Sequence, residues 1–135
     1  MKSIMSLIAI LFVSSSLFAQ VPRVPNVLEQ WGGRGIEVLV LEGHQARVTF
    51  DCGSGYVEEG RWPLNQSRIN AVGTVTKHTG VRPPPGYVPR SEKATFAANI
   101  DNQKGKMTLT VKVGKTRATV YKLIKDQPAD LKRCL

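Results

Sequence analysis

The chain has 135 residues, 41% of them hydrophobic, and its 19 Lys and Arg against 10 Asp and Glu give a net charge of +9. That size supports one core rather than two domains, and the basic balance favours acidic partners such as an acidic protein or an anionic envelope polymer. No Lys/Arg-rich run of about 5–8 residues is present, so nucleic acid is not an expected partner.

Residues 1–19 read as a secretory signal peptide. Lys2 supplies the positive start, Ile4 to Val13 the apolar core, and Ser14 to Ala19 the small residues ahead of Gln20. The apolar run is shorter than the roughly 20 residues that span a bilayer, so no transmembrane anchor is expected. Cleavage removes Lys2 alone among the charged residues, which leaves a soluble product of charge +8, secreted or periplasmic. In such a compartment the two cysteines, Cys52 and Cys134, are free to pair, and one disulfide is expected.

Residues 20–34, with Pro22 and Pro25, read as an extended N-terminal arm. From Ile36 the pattern has period two: Ile36, Val38 and Val40 on one strand, then Ala46, Val48 and Phe50 on the next, with Glu42-Gly43-His44 as the turn. A weaker strand covers Gly55 to Glu59, and Trp62 to Leu64 reads as its continuation beyond a kink at Gly60. Ile69, Ala71, Gly73 and Val75 define a longer strand in which Gly73 implies a bend or a close backbone approach. Lys93 to Ile100 and Met107 to Val113 repeat the alternation around a polar hairpin at 101–105, and Gly114-Lys115 turns the chain into a last strand from Arg117 to Ile124.

Seven or eight short strands in succession make residues 35–135 an all-β, antiparallel domain. An up-and-down β-barrel is expected, with a β-sandwich as the alternative. The one long connection, 79–91, carries Pro83-Pro84-Pro85-Gly86 and Pro89, and its missing backbone donors keep it out of any ladder. Arg82, Tyr87 and Arg90 on this stiff loop are the candidate binding residues, because a polar-tipped ring flanked by cations suits an interface.

The Trp31-Gly32-Gly33 start, Phe50-Asp51-Cys52 followed by Gly53 and Gly55, Gly73-Thr74, Met107-Thr108-Leu109-Thr110-Val111 and the terminal Cys134-Leu135 resemble an uncharacterised family of small secreted bacterial proteins. The resemblance implies an exported, β-rich bacterial protein and supplies no site residue. A looser likeness, a tryptophan before the first strand of a meander, is to lipocalin-like barrels.

No catalytic residue is assigned. His44 and His78 lie in a turn and at a strand end with no nucleophile motif around Ser54, Ser67 or Ser91. Glu58 and Glu59 are adjacent in a strand and point to opposite faces, so they cannot flank one bond. The histidines and cysteines match no zinc spacing, and no metal or cofactor is expected. Three functional classes remain: a non-enzymatic binding module presenting the 79–91 loop or the arm to an envelope or extracellular partner, inhibition included; a carrier of a small hydrophobic ligand; and a hydrolase without a recognisable motif.

Overall fold

The computed structural model describes residues 26–78 and 84–132 together with Cys134; residues 1–19, read above as a signal peptide, Pro22, Pro25 and Arg82 lie outside the described residues. Eight strands form the fold: β1 (Val27–Gly33), β2 (Ile36–Leu41), β3 (Gln45–Phe50), β4 (Gly53–Val57), β5 (Arg68–Lys77), β6 (Ser91–Asp101), β7 (Lys106–Val113) and β8 (Thr119–Lys125). Each pairs antiparallel with its sequence neighbour, and β8 returns to β1, so the sheet closes into an up-and-down barrel. Val27–Gly33, read from sequence as part of the arm, is the barrel's first strand. Trp62 to Leu64, read as a strand continuation, belongs instead to the β4–β5 connection.

Period two decides which side chains turn inward. Trp31, Val38, Val48, Phe96, Leu109 and Leu123 are buried on the inner face of their strands, while their sequence neighbours face out. An eight-stranded barrel is just wide enough for side chains to fill, and here they do fill its middle. Phe96 lies across the axis where Gly55 and Gly73 have no side chain; a Cβ on either would approach its ring to 3.2 and 3.1 Å. A Cβ on Gly73 would also fall on the Tyr56 carbonyl oxygen, which is the close backbone approach expected there. Burying one such aromatic ring contributes about 1.5–3 kcal/mol by transfer from water.

The strand ends face two ways, and the two ends of the barrel differ. At one end the β4–β5 connection folds inward: Trp62 is 1% exposed, and its backbone N–H donates to the His44 carbonyl at 2.9 Å. Trp31 is also 1% exposed, its Nε1 donating to Glu29 Oε2 at 3.1 Å, while Lys125 Nζ lies 3.8 Å from Glu29 Oε1. That end is shut. The opposite end, formed by the β1–β2, β3–β4, β5–β6 and β7–β8 connections, is open among the described residues.

Beyond β8 the chain reverses and runs back over the outside of β1. Asp126 N–H donates to the Gln30 carbonyl at 2.8 Å, Asp130 N–H to Gly33 at 3.0 Å, and Gly35 N–H returns a bond to Asp130 at 2.8 Å. Gly32 makes this possible, since a Cβ there would lie 2.7 Å from the Pro128 carbonyl carbon. The tail ends at the open rim, where Cys134 is disulfide-bonded to Cys52 across a sequence separation of 82.

Candidate functional site

β3, β5 and β7 all end, and β8 begins, at the open end of the barrel. Inward-facing residues at those positions therefore converge: Phe50 closes β3, Val75 lies near the end of β5, Val111 and Val113 finish β7, and Tyr121 stands early in β8. They floor a cavity of about 680 Å³. The Phe50 and Tyr121 rings lie 5.7 Å apart at 46°, a tilted pair. Clefts of roughly 300–1,000 Å³ lined by apolar groups with a few polar ones are the usual form of a small-molecule site.

The rim is charged. Arg34 from the β1–β2 turn, Lys77 at the last position of β5, Arg117 from the β7–β8 connection and Lys132 from the tail surround the opening, with Asp51 and Asp130 between them. One Asp51 oxygen is committed to structure, accepting the Lys132 backbone N–H at 2.7 Å. Tyr121 is held above the ordinary phenol value of 10.0, first by burial and then by the negative charge of Asp51. The floor thus presents a neutral hydroxyl beneath an excess of cations.

The sequence-derived residues fall beside this mouth. Tyr87, with its N–H bonded to the Pro84 carbonyl at 3.1 Å, is 52% exposed and Val88 79% exposed. Together with Arg90 and Glu92 they border a recess of about 220 Å³ that shares Val75, Lys77 and Val113 with the mouth. Arg82 lies outside the described residues. Cys52 lines the opening as well, so the disulfide anchors the tail's share of the rim.

Compared with protein-family models, with curated proteins and with solved structures, the chain matches none. The chemistry of the mouth therefore rests on its own side chains. Sequence reasoning missed Arg34, Lys77, Arg117, Lys132 and the floor as a unit, because five separated segments build them.

Two other candidate groups resolve simply. The Ser54 hydroxyl and His78 Nε2 are 3.0 Å apart on the exposed outer face, tying β4 to the end of β5, a pairing no motif announced. The hydrogen bonds of the described residues include no carboxylate on the other ring nitrogen. Among the described residues no group of three or more His, Cys, Asp or Glu could hold a metal ion, and no helix is long and apolar enough to cross a membrane.

Proposed function

We propose that this chain is an exported, non-enzymatic binding protein whose barrel mouth takes a small amphipathic anion, its apolar part on Phe50, Val75, Val111 and Tyr121 and its anionic head among Arg34, Lys77 and Arg117. The observation that carries this reading is the pairing of an apolar floor with a cationic rim at one end of a barrel whose other end is plugged. Export rests on the leader-like residues 1–19 and is supported by the Cys52–Cys134 disulfide, since such bonds persist in oxidising compartments. The interior packing confines a carrier's ligand to the mouth; a deep lipocalin-like cavity is already occupied by Phe96 and its neighbours.

The test is a thermal-shift and calorimetric series with dodecanoate, dodecanol and acetate. A ligand that binds the native state alone raises the melting temperature, so dodecanoate should stabilise, dodecanol less, and acetate not at all. Equal effects of dodecanol and dodecanoate would remove the role of the rim. Val113→Trp, which fills the mouth from its edge, should abolish the dodecanoate effect.

A second reading has one observation in its favour: Val88 and Tyr87 stand exposed beside the mouth. In this reading the loop docks a protein partner that inserts an acidic or apolar side chain into the opening, as an inhibitor does. Replacing Tyr87, Val88 and Arg90 by alanine should then weaken capture of an envelope partner and leave dodecanoate binding unchanged.

A further inference from the structure

Charge is segregated along the chain. Between Gln20 and Ser67 four Lys and Arg accompany six Asp and Glu, whereas between Arg68 and Lys125 twelve accompany two, Glu92 and Asp101. The fold converts this into a wall, because β5, β6, β7 and β8 are consecutive neighbours in the barrel. Inward positions of those strands carry Ile69, Ala94, Met107, Val111 and Leu123, so period two sends Arg68, Lys93, Lys106, Lys112 and Lys122 outward, and all five are exposed.

Register brings four of them together in pairs. Lys112 is opposite Thr95, two residues from Lys93, and Lys106 is opposite Ile124, two residues from Lys122. Such diagonal neighbours stand about 7–8 Å apart. The two pairs are separated along β7 by the run from Lys106 to Lys112, roughly 20 Å at the strand rise. Asp101 is opposite Lys106 in the register, yet among the described residues the one ion pair is Lys125 with Glu29 at the plugged end. The wall therefore sets four lysines against one carboxylate, Asp101, whose Oδ1 already accepts the Gln103 and Lys104 backbone N–H groups, and the Lys93–Lys112 pair has no carboxylate opposite either lysine in the register, an arrangement that an anion would relieve. Between the pairs lie Thr95, Thr108 and Thr110, whose hydroxyls can donate and accept.

We propose that the outer wall of β5–β8 binds a linear anionic polysaccharide, its charged groups seated over the two lysine pairs and its hydroxyls over the threonines between them. Curvature favours a chain over a bilayer. A plane touches a closed eight-stranded barrel along a narrow strip, while a flexible polymer follows the wall from β5 round to β8. Val72, Val120 and Ile124, the exposed large apolar residues of the wall, lie on its two outermost strands, with Lys122 between the two on β8, and form no joint patch to insert into lipid. This surface is distinct from the mouth.

The test uses alginate as the polymer, dextran as its neutral counterpart, vesicles of phosphatidylglycerol and phosphatidylcholine, and duplex DNA. The full mature chain should be retained by alginate and not by dextran, with retention falling steeply between low and physiological salt as screening shortens from about 30 Å to about 8 Å. Lys93→Gln with Lys112→Gln, and separately Lys106→Gln with Lys122→Gln, should each weaken alginate binding about tenfold at low salt, while Arg47→Gln with Arg61→Gln, an equal loss of charge elsewhere, should weaken it less than about threefold. The four wall lysines replaced by arginine should still bind, which keeps the test valid if a glutamine variant folds poorly. Equal losses in the wall and control variants would show that net charge alone acts and overturn the proposal. Absence of alginate retention would overturn it too, as would capture by vesicles or DNA that exceeds capture by alginate and depends on the same lysines. Saturating dodecanoate should leave alginate binding unchanged, so this proposal and that for the mouth fail separately.

Discussion

The two ends of the barrel are built from the same alternating strands and come to opposite results. At the plugged end a connection long enough to fold back, residues 58–67, drops Trp62 onto the core that also holds Trp31, and Trp31 is tied to Glu29, which pairs with Lys125. At the open end no aromatic residue from a connection enters the axis among the described residues, and the inward side chains that finish β3, β5 and β7 remain as a floor. One end is therefore packed for stability, and the binding proposed above falls to the other. Substitutions should sort accordingly.

The largest effect belongs to the plug. Trp62→Ala should lower stability by about 3–5 kcal/mol, the range for deleting a buried large aromatic, read as a shift in the denaturant midpoint. Dodecanoate binding by the fraction that still folds should persist; its loss would show that the ends are not independent. Cys52→Ser with Cys134→Ser crosses the comparison, because the bond is at the open end yet constrains the whole chain. It should cost about 2–4 kcal/mol and also weaken dodecanoate, since Asp130 and Lys132 lose their anchor. A stability loss with unaltered affinity would place the tail outside the site.

Smaller effects should appear in recognition alone. Lys77→Gln and Arg117→Gln should each leave stability within about 0.5 kcal/mol, as exposed substitutions do. Each should weaken dodecanoate by roughly three- to fivefold, the worth of an exposed charge contact. A melting temperature that falls as far as in the Trp62 variant would contradict the division between the ends. The smallest effect is Tyr121→Phe. With its folded value raised above 10.0, Tyr121 keeps its proton where the unfolded chain has lost it, so stability falls as pH rises past 10.0. The phenylalanine variant should show a shallower alkaline decline in melting temperature, with no difference at neutral pH.

The barrel was legible because its signal is local: Ile36, Val38 and Val40, or Met107, Leu109 and Val111, state their inner face within six residues. The disulfide followed from two cysteines and an export reading. Trp62 was misplaced because a plugging tryptophan and a strand tryptophan look alike until the fold shows where the connection turns. The start of β1 was lost to Pro22 and Pro25, whose influence stops before Val27. The mouth was hidden for a different reason. Arg34, Phe50, Val75, Arg117, Tyr121 and Lys132 become neighbours only through closure, and the tail that brings Lys132 has no period to read. The lysine wall left a trace in the uneven charge of the two halves, but a search for consecutive basic residues passes over it, since strand geometry puts an inward residue between outward ones.

The tail also bears on how the molecule is assembled. β1 and β8 pair only from Trp31↔Lys125 to Gly33↔Leu123, whereas β5 and β6 pair from Arg68↔Asn99 to Thr76↔Ser91, so the seam is the shortest join in the barrel. The tail lies across β1 at that seam, and its cysteine reaches a partner made 82 residues earlier. Cys52 has no correct mate until the last strand has emerged, which makes oxidation a report of completed closure. A chain interrupted between the two cysteines carries Cys52 as a lone thiol, chemically distinct from the finished barrel.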